Sequence, residues 1–267
     1  MVSLLISEQV ATQSEWLQAR KSLLEKEKEL TCAHDALTKE RQSLPMYPVT
    51  KSYRFTSSGG PVSLSDLFED RQQLVIYHFM LGPESTEGCP NCSYFGDHVP
   101  DLSHLNARNT TFAVVSRAPI ETIEKFKKRM EWTFPWYSSS GSDFNFDFHV
   151  TNDKEKAPVE YNYENEEELD RKGHSFNKAG EQPGISCFLM GKKGEGNEEE
   201  GQVYHTYSAY ARGMDHITLT FSLLDMTKMG RQDETVGIVF KHHDKYTKDD
   251  LSGKPWSVFI PPKLLKA

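Results

Sequence analysis

The sequence predicts an α/β fold built around a largely parallel sheet, and three observations carry that prediction. The runs "QLVIYHFML" (73–81) and "TTFAVVSR" (110–117) are continuously apolar rather than alternating, as in strands covered on both faces. Each is followed by a helical pattern, "CPNCSYFGDHVPDLSHLNAR" and then "PIETIEKFKKRME", and this strand and helix succession is what a parallel sheet requires. At 267 residues, with 37% hydrophobic and 26% charged residues, the chain is long enough for one elaborated soluble domain with an appendage.

The elements follow in order. From Glu15 to Gln42 the chain has few breakers, many helix formers, and apolar residues at Trp16, Leu23, Leu24, Leu30, Ala33 and Leu37. That spacing predicts a long amphipathic helix with one apolar stripe, ended by Pro45 and Pro48. The stripe is expected to pack on the body of its own chain, with a second copy as the alternative, a homodimer through this helix. After the strand at 73–81, the helix from Cys89 is expected to be interrupted or kinked near Pro100. Pro119 is expected at the first position of the next helix, and "FPWYSS" is a short strand.

Residues 143–182 are polar and acidic, with "ENEEELDRKG" in their middle, and read as an excursion from the sheet carrying a short helix. "GISCFLMG" and "QVYHTYSAY" then form a hairpin around the long loop "KKGEGNEEEG", and "GMDHITLTFSLLDMTK" forms a last helix. The resulting organisation is a helical extension (1–48), an α/β domain (49–231) and a tail (232–267).

Composition excludes several classes. A formal charge of −8 argues against a sequence-independent grip on nucleic acid. The longest strongly apolar run, Leu74 to Leu81, is far short of a membrane span. The start, "MVSLLISEQVATQ", lacks the basic region and full apolar core of a signal peptide, so a cytoplasmic address is expected. Its four cysteines, Cys32, Cys89, Cys92 and Cys187, are too few for a disulfide scaffold, and a close pair in a reducing compartment points to redox or metal chemistry.

That pair is Cys89-Pro90-Asn91-Cys92, between the first strand's loop and a helix. Cys89 falls at the cap of the helix with Pro90 opening it, where unpaired N–H groups favour a thiolate. Cys92, three residues on, shares its helix face and lies within reach of a disulfide. Cys89 is then the attacking thiolate and Cys92 the resolving thiol.

The segments "EWLQARKSLLEKEKELT", "YHFMLGP" with "GCPNCS", "VVSRAPIETIEKFKKRMEWTFPWYSSSGSDFN" and "HTYSAYARGMD" resemble the DUF899 family of thioredoxin-like proteins, described as predicted dithiol-disulfide oxidoreductases. The resemblance runs from about Trp16 to Arg231. It implies a thioredoxin-like three-layer fold with an N-terminal helical extension and an acidic insertion before the C-terminal hairpin. It also implies nucleophile and resolving roles for Cys89 and Cys92, and Pro183 as the counterpart of the proline that faces the cysteines. The chain departs from the thioredoxin pattern in having no tryptophan before Cys89, Pro-Asn between the cysteines, and Glu87 opposing a thiolate.

Alternatives remain at this level. Pro83, Thr86 and Cys89 stand in the order found in peroxiredoxins, with the T-x-x-C spacing kept and Arg117 as the arginine such chemistry needs. His78, His98 and His104 around the cysteines suggest zinc or copper, although one C-x-x-C supplies only two ligands. A third alternative is a pair of inert buried thiols, and a fourth is a non-enzymatic protein that uses the fold to bind a partner. Arg212 in "HTYSAYARG" is a candidate anchor for an anionic substrate, although the segment also reads as structural. His242 and His243 in "FKHHDKY" are expected to face solvent, Cys187 to be inert in a buried strand, and "GSDFNFDF" to line a core. No glycine-rich dinucleotide fingerprint is present and no cofactor is implied; the expected partner is a protein or small-molecule thiol or disulfide.

Overall fold

The computed structural model describes residues 10–192, 201–231 and 240–252. The chain divides into two compact units, Met1–Pro45 and Met46–Ala267. The first holds helix α1 (Gln13–Gln42), opened by a capping box: the Thr12 side chain accepts from the Glu15 N–H, and the Glu15 carboxylate accepts from the Thr12 N–H. Lys39 and Arg41 sit in its last turn, where the helix dipole favours cations. No residue of the helix is buried, and Trp16, Leu23, Leu30 and Leu37 are exposed. Within this unit the helix is supported by its caps and by the Lys28–Glu25 and Arg20–Glu27 ion pairs.

The second unit is organised by one mixed sheet of eight strands. These are β1 (Tyr47–Pro48), β2 (Arg54–Ser57), β3 (Gly60–Ser63), β4 (Gln73–His78), β5 (Thr110–Ser116), β6 (Trp136–Ser138), β11 (Gly184–Met190) and β12 (Val203–Tyr210), in spatial order β1-β12-β11-β4-β5-β6-β2-β3. β4, β5 and β6 are mutually parallel, whereas β11 runs antiparallel to both β4 and β12. The continuous apolar sequence of β4 has a direct cause. Leu74 and Ile76 enter one buried cluster, Tyr77 and Phe79 enter the other, and His78 joins the first through the rings of Phe144 and Phe148.

One face is covered by α2 (Pro90–Gly96), through Phe95, and by α4 (Ile120–Arg129), through Ile123 and Phe126. α2 ends at Gly96, and a separate turn, α3 (Ser103–Asn106), follows Pro100, so the helix is interrupted there rather than kinked. Pro119 is the cap residue of α4 rather than its first helical residue; its carbonyl accepts from the Thr122 and Ile123 N–H groups.

The other face is covered largely by residues 143–182, the expected excursion. Carrying α5 (Phe144–Asp147) and the short strands β7 (Thr151–Asn152), β8 (Glu160–Tyr161), β9 (Glu164–Asn165) and β10 (Gly180–Glu181), this polar stretch sends Phe144, Phe148, Val150, Val159, Tyr161 and Leu169 into the first cluster. Its short helix is α6 (Glu166–Arg171), opened by an Asn165 and Glu168 capping box. The last helix is split into a tight turn, Ala211–Ile217, and α7 (Leu219–Asp225). The hairpin loop 193–200 and most of the tail lie outside the described residues. Strand, cysteine-bearing helix, strand, helix, hairpin and helix in three layers make a thioredoxin-like fold. Among the described residues no helix is long and apolar enough to cross a membrane.

A polar chain crosses the sheet inside the first cluster. His78 Nε2 and Ser186 Oγ are 2.8 Å apart, Ser186 and Ser208 hydroxyls 2.8 Å, and Ser208 Oγ and His205 Nε2 2.8 Å. Burial pushes His78 down from 6.5 to about 3 and His205 to about 4, so both are neutral in the fold. The unfolded chain protonates them below 6.5, so their contribution to stability is full above that pH and is lost as pH falls toward 4. The thermal midpoint is expected to drop steeply across this window, and His78→Gln, which keeps a polar contact without a titrating group, to flatten the drop. An unchanged slope in the variant would remove His78 from the account.

Candidate thiol site

The parallel pairing of β4 with β5 continues past the strand: Phe79 N donates to Val115 O, and Ala118 N to Leu81 O, both at 2.9 Å. The chain then loops through residues 82–88 and returns, the Cys89 N–H donating to Met80 O at 3.1 Å. Cys89 becomes the cap residue of α2 in extended geometry, with Pro90 at the first helical position, as the sequence predicts. Its carbonyl accepts from the Ser93 N–H at 2.8 Å and closes the first turn.

The two thiols are placed differently. Cys89 is half-buried, and its thiol is lowered to about 6, first by the hydrogen bond from the Cys92 thiol and then by the Cys92 and Asn91 N–H groups, with burial opposing. Cys92 is buried, and desolvation pushes its thiol well up. The Met80 N–H points at the Cys92 sulfur from 3.5 Å, and the Tyr77 hydroxyl is another polar neighbour of that sulfur. One sulfur is thus prepared to be a thiolate and the other to remain a thiol.

Packing fixes the loop. A Cβ on Gly88 would stand 2.5 Å from Phe79 and 2.6 Å from Phe126, so only glycine passes between the rings and Cys89. Glu87 does not oppose the thiolate as expected, because Arg129 and Lys245 each hold one of its oxygens, at 2.8 and 2.7 Å, and lower its pKa. His242 is the larger correction. Rather than facing solvent it is 3% exposed; its Nε2–H donates to Gly88 O at 2.9 Å, and its Nδ1 accepts from Arg129 at 2.8 Å. His243 is exposed and pairs with Asp97.

The remaining candidates are dispersed. Pro183 is half-buried and precedes Gly184, which pairs with His78, so it lies at the cysteine end of the sheet. Its carbonyl accepts from the Tyr161 hydroxyl at 2.9 Å, and every described peptide bond is trans. Thr86 and Pro83 are exposed on the loop. Arg212 is exposed, with Asp215 as its partner at 3.2 Å. Arg117 pairs with the buried side of Glu181 at 2.9 Å and stacks over Phe146.

Of the histidines weighed as metal ligands, His78 faces Ser186 on the opposite side of the sheet. His98 uses one nitrogen on Tyr94 O and the other on Thr220, and His104 is exposed. Among the described residues no group of three or more His, Cys, Asp or Glu could hold a metal ion. Cys187 is half-buried in β11, and Cys32 is exposed on α1. Phe144 and Phe148 of "GSDFNFDF" are core residues, as read.

Sequence reasoning missed Tyr77, Tyr161 and Arg129, and it placed His242 in solvent. Alternation along β4 puts Tyr77 on the face of Phe79 and was a usable signal. Nothing local marks His242, which meets Gly88 across 154 residues.

A thioredoxin-like sheet that presents a low-pKa thiol above a buried one defines a thioredoxin-like protein with a thiol pair at its helix cap. The chain belongs to the family described as bacterial protein of unknown function, DUF899, whose model matches residues 6–246. No curated protein matches it. Among solved structures it is similar to a peroxiredoxin Q variant from Xanthomonas campestris, with 16% identity and a TM-score of 0.40 over 68% of this chain and 97% of the other. The peroxidoxin BcpB of Mycobacterium tuberculosis gives 13% identity and a TM-score of 0.41 over 68% and 97%. A putative protein disulfide isomerase from Bacteroides thetaiotaomicron gives 14% and 0.34 over 70% and 92%.

Gly88→Ala is expected to cost about 1–3 kcal/mol through overpacking against Phe79 and Phe126 and to slow alkylation of Cys89 by displacing its loop. Denaturant midpoints and alkylation rates would show it; a variant as stable as the parent would mean that the rings yield.

Proposed function

We propose that the protein is a dithiol-disulfide oxidoreductase working through Cys89 and Cys92, with the protein or small-molecule disulfide as substrate and no cofactor. The observation that carries this is the asymmetry of the two sulfurs: a half-buried thiol lowered to about 6 accepts a hydrogen bond from a buried thiol raised by desolvation. At neutral pH Cys89 is the thiolate. It attacks one sulfur of the substrate disulfide, the Cys89–substrate S–S bond forms, and the other substrate sulfur leaves as a thiolate and takes a proton from water. Cys92 then gives up its proton, attacks Cys89 Sγ and expels the second substrate sulfur, which ends as a thiol. Two electrons pass to the substrate, the Cys89–Cys92 disulfide is left, and an external dithiol returns it to the reduced form.

The geometry supports the second step as well. Once Cys89 is bound in the mixed disulfide it no longer accepts from Cys92, and the Met80 N–H stands ready to stabilise the Cys92 thiolate as it forms. A hydroperoxide in place of a disulfide finds less support, since Thr86 is exposed and the Arg117 guanidinium is paired with Glu181.

Alkylation of the reduced protein by iodoacetamide, followed against pH, is expected to show one fast thiol with a midpoint near 6. Cys89→Ser should abolish it. Cys92→Ala should keep it but move the midpoint toward about 8.5, the free-thiol value, because the strongest donor is gone. A wild-type midpoint at or above that value, or a fast thiol surviving Cys89→Ser, would overturn the assignment.

A further inference from the structure

The described part of the C-terminal tail is tied to the cysteine loop residue by residue. The Phe240 N–H donates to the side chain of Asn91, between the two cysteines, at 3.3 Å, and its ring lies flat on Tyr94, one turn further, at 3.7 Å. His242 holds the carbonyl of Gly88, immediately before Cys89. Lys245 and Arg129 share Glu87, and Arg129 closes the arrangement with two hydrogen bonds to Asp244, at 2.8 and 2.9 Å. His243 reaches Asp97 at the end of α2 at 2.8 Å.

We infer that residues 240–246 form a fixed wall of the cysteine site, which admits low-molecular-weight disulfides to Cys89 and excludes disulfides held in folded proteins. The inference rests on the thiol-exchange reading and names its substrate class. A disulfide inside a folded protein carries main chain on both sides of each cysteine, with the two Cα atoms only about 6 Å apart. To reach Cys89 it needs open surface on both sides of the attacking sulfur. Here the positions before Cys89 (Glu87, Gly88), after it (Asn91) and one turn on (Tyr94) are all taken by the protein's own chain. A small disulfide needs only a line of approach to one sulfur, which the half-buried Cys89 retains.

The wall does not open cheaply. His242 is 3% exposed, so withdrawing it leaves the buried Gly88 carbonyl without its partner and takes an acceptor from Arg129. The ring stack on Tyr94 and two ion pairs, Arg129–Asp244 and Lys245–Glu87, would be lost in the same movement.

The test mixes the reduced full-length protein with bis(2-hydroxyethyl) disulfide or with insulin and follows the loss of the Cys89 and Cys92 thiols. Each rate is divided by that of free dithiothreitol with the same disulfide, which removes intrinsic reactivity. The wild type is expected to favour the small disulfide by about a hundredfold, the scale of a misplaced reacting group. The Phe240→Ala, His242→Ala double variant is expected to lose at least about tenfold of that preference. Equal normalised rates in the wild type would overturn the wall and leave thiol exchange standing, and this outcome needs no variant that folds. A preference unmoved in a folded double variant would also overturn it. Inertness toward both disulfides would overturn thiol exchange itself, and the wall as a selector with it.

Discussion

The pairing of β4 on both edges, inside a sheet covered on both faces, is the constraint from which the site follows. Because β5 and β11 fix its backbone and two separate cores fix its alternate side chains, the end of β4 has one position and one direction. Phe79 and Met80 extend that position past the strand. Met80 then touches both cysteines, its carbonyl taking the Cys89 N–H and its own N–H facing the Cys92 sulfur. Met80 thus sets the place of both sulfurs, and their opposite tendencies come from the helix start and from burial: Cys89 accepts from the Cys92 thiol and from the Cys92 and Asn91 N–H groups, while desolvation raises Cys92.

The second face shows how an unpromising stretch completes a fold. Residues 143–182 are acidic on average, and average composition hides the few apolar side chains that matter. Phe144, Phe148, Val150, Tyr161 and Leu169 fill the core, while most of the charges around them stay at the surface. The same stretch delivers the Tyr161 hydroxyl, which holds both the Pro183 carbonyl and the Ala211 N–H and so joins the hairpin to the turn that follows it.

What was legible in the sequence was short-range. The strands at 73–81 and 110–117, the helix cap at Cys89 and the break at Pro100 are written in local periodicity and in the stereochemistry of proline. The cysteines could be assigned roles because three residues of helix fix their geometry. The rest depended on contacts between distant segments. His242 reads as a solvent-facing residue in "FKHHDKY", and only the fold brings Gly88 and Arg129 to its two nitrogens. Glu87 likewise reads as an unfavourable charge until Arg129 and Lys245 are placed on it. The apolar positions of α1 were legible as a pattern, but a pattern does not name the surface that covers it.

The lowered thiol of Cys89 has an electrochemical consequence for the proposed couple. Above about pH 6 the reduced site holds a thiolate and a thiol, so reducing its disulfide takes up two electrons but a single proton. His78 and His205, neutral throughout this range, add no further proton to the count. The midpoint potential therefore moves by about 30 mV per pH unit around neutrality, against about 60 mV for a pair of ordinary thiols. A partner whose own two thiols are both protonated shifts twice as steeply. The direction of exchange between the two is then set by acidity as well as by concentration.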